Sequence, residues 1–177
     1  MSLFQVFAQM LEYPAASTLE ALSRCAASLA EECPDAAAAL REFMAATSGK
    51  NLGAMQELYI SAFDLRPDCT PNLGYHLFGD DSRRGVFLAE LKERMERAGV
   101  AVGVELPDYL PLILSYLDVA EEERPVLIED CLLPALAQMA KILDGTGNPY
   151  QNVVRALLLW LRLQHELYAA RADAVEV

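Results

Sequence analysis

Histidine occurs only at His76 and His165, and the four cysteines (Cys25, Cys33, Cys69 and Cys131) form no Cys-x-x-Cys pair. That scarcity excludes any local zinc spacing. It leaves four reduced thiols whose natural use is core filling. Neither histidine stands in a serine or cysteine setting, so no nucleophile has a recognisable base. Basic residues are also scarce: Lys+Arg number 14 against 26 Asp+Glu, a net charge of −12. A chain of that sign lacks the footprint for nucleic-acid phosphates and for an anionic membrane surface. Its acid suits a cationic partner. Apolar runs are short of the roughly 18 residues that a membrane helix needs. The longest, "VVRALLLWLRL", is interrupted by Arg155 and Arg162. The opening "MSLFQVFAQMLEYP" has no positive n-region, so it is read as a helix and not a leader. The expectation is a cytoplasmic protein without direct membrane insertion.

Other familiar chemistry is missing too. "GDDSRRG" carries glycines and arginines but not the Gly-Lys-Ser/Thr ending of a phosphate loop. Asp80 and Asp81 would repel phosphate, and a helix N-terminus explains them better. Asp64 and Asp68 could approach a hard cation, yet no further donors complete its shell. No catalytic residue and no metal ligand is therefore assigned, and the chain is read as a non-enzyme.

What is present is apolar material at helical spacing. Hydrophobic residues make up 54% of the 177 and mean hydropathy is +0.17, enough to bury a core in one domain spanning residues 1–177. Alternating apolar–polar runs are almost absent, so strands are not expected. Leu3, Phe4, Phe7, Met10 and Leu11 make a first short helix capped by Ser2. A Ser17-x-x-Glu20 capping box opens a second, reaching Glu32. Pro34 starts a third that stops near Gly49. Asn51 caps a fourth, with Met55, Leu58, Tyr59, Ala62 and Phe63 on one side. Asp64 to Gly85 breaks the pattern. Its Leu65, Leu73, Tyr75, Leu77 and Phe78 predict an ordered loop folded back onto the core. Ser82 is the candidate cap of a helix over 83–98 closed by Gly99. A helix from near Pro125 to Leu143 should kink at Pro134 and bury Ile128, Leu132, Ala135, Met139 and Leu143. A last helix from Tyr150 to about Ala170 is apolar nearly all round, hence central. The sum is an all-α single globular bundle of about seven or eight helices.

The segment "ELPDYLP", Glu105 to Pro111, is the least ordinary. A helix starting at Pro107 would meet Pro111 in its interior, so it starts late or kinks. One reading is an acidic N-terminal turn with proline punctuation. The other uses the same groups as a wall. Leu106, Tyr109, Leu110 and Ile113 share a face toward the core. Asp108, Leu112 and Ser115 lie on the next stripe. Carboxylates beside apolar surface suit a peptide that is both basic and hydrophobic.

"MQELYISAFDL" (Met55 to Leu65), "GDDSRRGVFLAELKERMERAG" (Gly79 to Gly99) and "ELPDYLPLILSYL" (Glu105 to Leu117) resemble, in order and spacing, the NarJ family, the assembly chaperones of respiratory nitrate reductase. "LIEDCLLPALAQMAKILDGTGNPYQNVVRALL" is similar to that family's C-terminal half, and the likeness runs over about 55–160. The resemblance implies a TorD/NarJ-like helical chaperone that makes and breaks no bond. It implies a partner, the immature molybdoenzyme catalytic subunit, bound at its N-terminal segment. It also implies help with insertion of molybdopterin guanine dinucleotide and an iron–sulfur cluster into that client, with no cofactor held stably by the chaperone, which would be a monomer or weak dimer. In the wider group a Glu-Pro-Asp-like motif is linked to binding a twin-arginine leader. Carried onto this chain, it points to Glu105, Pro107 and Asp108, flanked by Leu106, Tyr109 and Leu110. Tyr59, Phe63 and Asp64 form the facing helix end. Tyr109 stands where relatives often have histidine, and a phenol lacks that ring's titration near neutral pH. The alternative on the same surface is a permanent helical subunit of a respiratory complex.

Overall fold

A computed structural model describes residues 2–175. Among these the chain is helical, with no strand element. The α-helices are α1 (Leu3–Leu11), α2 (Ala16–Glu32), α3 (Pro34–Thr47), α4 (Leu52–Tyr59), α5 (Leu73–Phe78), α6 (Arg83–Arg97), α7 (Leu110–Val119), α8 (Arg124–Leu127), α9 (Leu133–Leu143) and α10 (Tyr150–Val175). A π turn, Ile128–Leu132, joins α8 and α9 into one rod. Nine rods result among the described residues, above the expected seven or eight. The excess comes from α5, a short helix inside the segment read as loop.

The caps show how sequence sets these boundaries. Ser2 Oγ accepts from Gln5 N at 3.2 Å, and Asn51 Oδ1 accepts from Ala54 N at 2.9 Å, as expected of N-caps. Two expected caps are corrected. Helix α2 begins one residue before Ser17, and Ala15 N–H donates to Thr18 Oγ1 at 3.0 Å. Ser82 caps nothing; the Asp81 carboxylate takes the Arg83 N–H at 2.8 Å and pairs with the Arg83 guanidinium at 3.0 Å. An acid two residues before the helix satisfies the orphan donor and meets its positive end.

Helix α10 is the central strut. It packs on α3, α9 and α1, while α1 also covers α7 and α2. Val153, Val154, Ala156, Leu157, Trp160 and Leu161 are buried around it. The Trp160 indole meets Phe4 edge-on at 4.8 Å and stacks on Phe7 at 5.5 Å. Its N–H donates to Glu32 at 3.0 Å, so the ring is buried with its donor satisfied. The expected inward stripe of the α8–α9 rod, Ile128 to Leu143, is buried at all five positions. Where a kink is expected at Pro134, the structure has a π turn just ahead of it, in which Leu133 N–H reaches back to Ile128 O. A π turn widens the ladder by one residue ahead of the residue that cannot donate. All four cysteines are free and buried. Leu65 does not fold back as expected: it is 72% exposed, whereas Leu73 is fully buried.

Candidate functional site

The segments that follow α1 and α4, the stretch 67–72 and the connector 99–109 meet on one side of the bundle. Helix α4 passes directly into a second π turn, Ile60–Asp64, closed by Leu65 N–H to Ile60 O at 2.9 Å. The extra residue turns Phe63 inward and leaves Asp64 exposed beside it. Pro67 to Cys69 form a 3-10 turn, after which Thr70 to Asn72 run extended. Across from them lies Glu105 to Tyr109. Together these elements surround a cleft of about 480 Å³.

Five of the nine residues picked out by the motif line it: Tyr59, Phe63, Asp64, Glu105 and Tyr109. Tyr13, Pro67, Thr70, Pro71 and Asn72 complete it. No lysine or arginine is among these lining residues, and two are carboxylates. The floor is aromatic. Tyr59 meets Phe63 at 4.9 Å, Tyr13 at 5.7 Å and the buried Tyr150 at 5.7 Å. The hydroxyls form a short chain. Tyr59 donates to the Leu11 carbonyl at 3.2 Å, so the 3.3 Å contact between the two phenols has Tyr109 as donor. Burial pushes both phenols above their usual range. For Tyr109 the carboxylates of Glu105, Glu12 and Asp64 add to that push. Burial likewise raises Glu12. The cleft thus presents neutral phenols at a rim of acids.

The remaining motif residues sit elsewhere. Leu106, expected on the core face, is 47% exposed. Pro107 is buried, but in a turn before the helix and not in its first turn. Leu110 begins α7 and is in the core. Pro111 is the second residue of α7, where its missing N–H costs no ladder bond, so the helix simply starts late. Asp108, expected on a stripe near the rim, is 0% exposed. Its carboxylate takes Asn72 Nδ2 on one oxygen at 3.0 Å. The other oxygen takes Gly74 N–H at 3.0 Å and Arg84 Nη2 at 3.3 Å. Two backbone bonds flank it, Leu73 N–H to Asp108 O at 2.9 Å and Leu110 N–H to Pro71 O at 2.8 Å. These make an antiparallel bridge between Asn72 and Tyr109. Asp108 therefore spends its charge inside the fold and braces the cleft wall. A buried carboxylate among many exposed ones has no mark in the sequence. The signals for it are Gly74 and Arg84, lying in blocks already singled out.

Behind the cleft, His76 Nε2 meets the Thr70 carbonyl at 2.7 Å, which only a protonated Nε2 can do. Burial holds its pKa below the ordinary value, against smaller opposing pulls from that hydrogen bond, Asp68 and Asp108. No group of three or more potential metal ligands occurs among the described residues, and no described helix is long and apolar enough to cross a membrane.

The structure thus defines a helical bundle with one acidic, tyrosine-floored cleft built from its interhelical turns. Its sequence matches the family model for the nitrate reductase delta subunit over residues 26–152, and the chain belongs to that family. It is also 28% identical over 120 residues to the "Probable nitrate reductase molybdenum cofactor assembly chaperone NarJ" of Bacillus subtilis (strain 168). That stretch is 67% of this chain and 65% of the relative, so the chain spans just under two thirds of the relative's length.

Proposed function

We propose that this protein is an assembly chaperone for a molybdoenzyme, nitrate reductase first among them, and that its cleft holds the N-terminal segment of the immature catalytic subunit. The observation that carries this reading is the cleft itself. Acids at the rim and none but neutral groups on the floor attract a basic segment, and aromatic rings provide its apolar contacts. Glu105 and Asp64 orient the basic side chains. Tyr59, Phe63, Tyr109 and Tyr13 pack against the apolar ones. Leu106, exposed next to Glu105 in the chain but outside the cleft lining, adds apolar surface beside it, while Pro107, Asp108 and Leu110 hold the wall in place from behind. The protein supplies no catalytic group. The molybdopterin guanine dinucleotide belongs to the client, and the chaperone keeps the client's N-terminal segment occupied while that cofactor enters, before membrane assembly. The setting is the cytoplasm, where the client folds.

Titration calorimetry with the N-terminal peptide of the catalytic subunit tests this. Wild type should bind, with affinity falling as salt rises. Glu105→Gln with Asp64→Asn should weaken binding about tenfold or more and flatten the salt dependence. Unchanged affinity in the double variant contradicts the assignment. A stoichiometric complex with the mature, cofactor-loaded enzyme points instead to a permanent subunit.

A further inference from the structure

The Asp108 cluster has one member outside the cleft lining. Arg84 sits in the first turn of α6 and lines no part of the cleft. It is nonetheless the cation that the buried Asp108 depends on, at 3.3 Å. Gly74 is bound to the same point. A Cβ there would lie 2.7 Å from Asp108 Oδ2 and 3.2 Å from Arg84 Cγ, so no larger residue fits without moving the carboxylate. Asn72, which lines the cleft, shares the carboxylate with them. Four segments therefore converge on one acid: α6, the start of α5, the extended 70–72 strip and the Glu105–Tyr109 wall.

We infer that Arg84 and Gly74 are positioning residues for the cleft: through Asp108 they lock the Glu105–Tyr109 wall onto the 70–72 strip, and so hold Glu105 and Tyr109 where a basic peptide meets them. The inference rests on the cleft being the client site. It carries a sign that simple electrostatics reverses. If Arg84 acted only through its charge, removing it would make an acidic protein more acidic and a basic peptide would bind more tightly. If Arg84 positions the wall, removing it leaves Asp108 buried with its charge uncompensated, the bridge loosens, and the peptide binds less tightly.

Two readouts on the full chain decide the matter, hydrogen exchange by NMR and titration with the catalytic subunit's N-terminal peptide. In Arg84→Gln the amides of Leu73 and Leu110, which make the bridge, should exchange about tenfold faster, while Leu157 and Leu161 amides in α10 keep their protection. Peptide affinity should fall about tenfold, and Arg84→Lys should recover part of both, because it restores the charge without the planar fork. Gly74→Ala, which keeps every charge, should reproduce the Arg84→Gln pattern. Unchanged protection at Leu73 and Leu110 in Arg84→Gln overturns the latch, as does tighter peptide binding by that variant. If wild type itself does not bind the peptide, the client reading fails and the binding half of the inference with it. The exchange data then still decide whether Arg84 fixes the wall.

Discussion

Asp108 illustrates how far a single side chain's role can lie from its residue type. An acid in a chain with 26 acids invites a surface role, yet this one is fully buried with three donors on its two oxygens. Asp108→Asn would put an amide NH₂ against at least one of those donors. It should destabilise the fold by about 3 kcal/mol, the low end for a broken buried pair because Arg84 remains 26% exposed. Chemical denaturation measures that. Tyr150 predicts the opposite sign. Its ring packs on Phe43, Tyr59 and Phe63, and its buried hydroxyl has no hydrogen-bond partner among the described residues. Tyr150→Phe removes an orphaned polar group without changing shape, so stability should be unchanged or rise by about 1 kcal/mol. A clear loss would mean that the hydroxyl has an essential partner. The thiols follow the same logic. Burial pushes Cys25 and Cys69 up to about 12 and Cys131 up to about 11. In the folded protein at pH 8 a thiol reagent should modify them only as fast as the fold opens, and denaturant should release the reaction.

At the scale of elements, the boundaries divide into those with local signals and those without. Ser2, Asn51, Pro34 and the positive-φ Gly49 and Gly99 mark helix ends by chemistry confined to one turn, and the sequence showed them. The π turns at Ile60–Asp64 and Ile128–Leu132 were not legible, because one extra residue in a ladder changes neither composition nor apolar spacing enough to be noticed. Leu106 and Asp108 differ from their helical spacing for a related reason: that spacing assumes a helix starting earlier than α7 does, and the isolated bridge to Asn72 that takes its place has no period. The cleft was half visible: its motif residues stood out by resemblance, whereas Pro67, Thr70 and Pro71 arrive through tertiary packing. Elements also differ in how firmly they are held. Only Leu91 and Met95 of α6 are buried, against a long buried run in α10. Hydrogen exchange should find α6 amides exchanging well before those of α10; equal protection would show that α6 is covered by more than these contacts.

For the whole molecule, pH acts on the strip that frames the cleft. His76 has a folded pKa below its unfolded value. Above about pH 6.5 both states are neutral there and the group is silent. As pH falls below that, the unfolded chain takes the proton first, so stability declines until the folded pKa is passed. His76→Gln should flatten that decline in thermal denaturation across pH 5–7. The raised phenols of Tyr59 and Tyr109 act differently: they stay neutral through mildly alkaline pH, so binding of the N-acetylated peptide, which has no α-amino group to titrate, should not fall between pH 7 and 9.

The most direct test of the central claim, that the acidic cleft receives the client segment, is a hydrogen-exchange footprint of the full chain with the catalytic subunit's N-terminal peptide. Protection should appear at 59–64, 67–72 and 105–109 and leave the outer face of α6 unchanged. Peptide-induced protection confined to α6 and α8, or to the polar groove between Glu42 and Arg155, with the cleft segments unaltered, would contradict it.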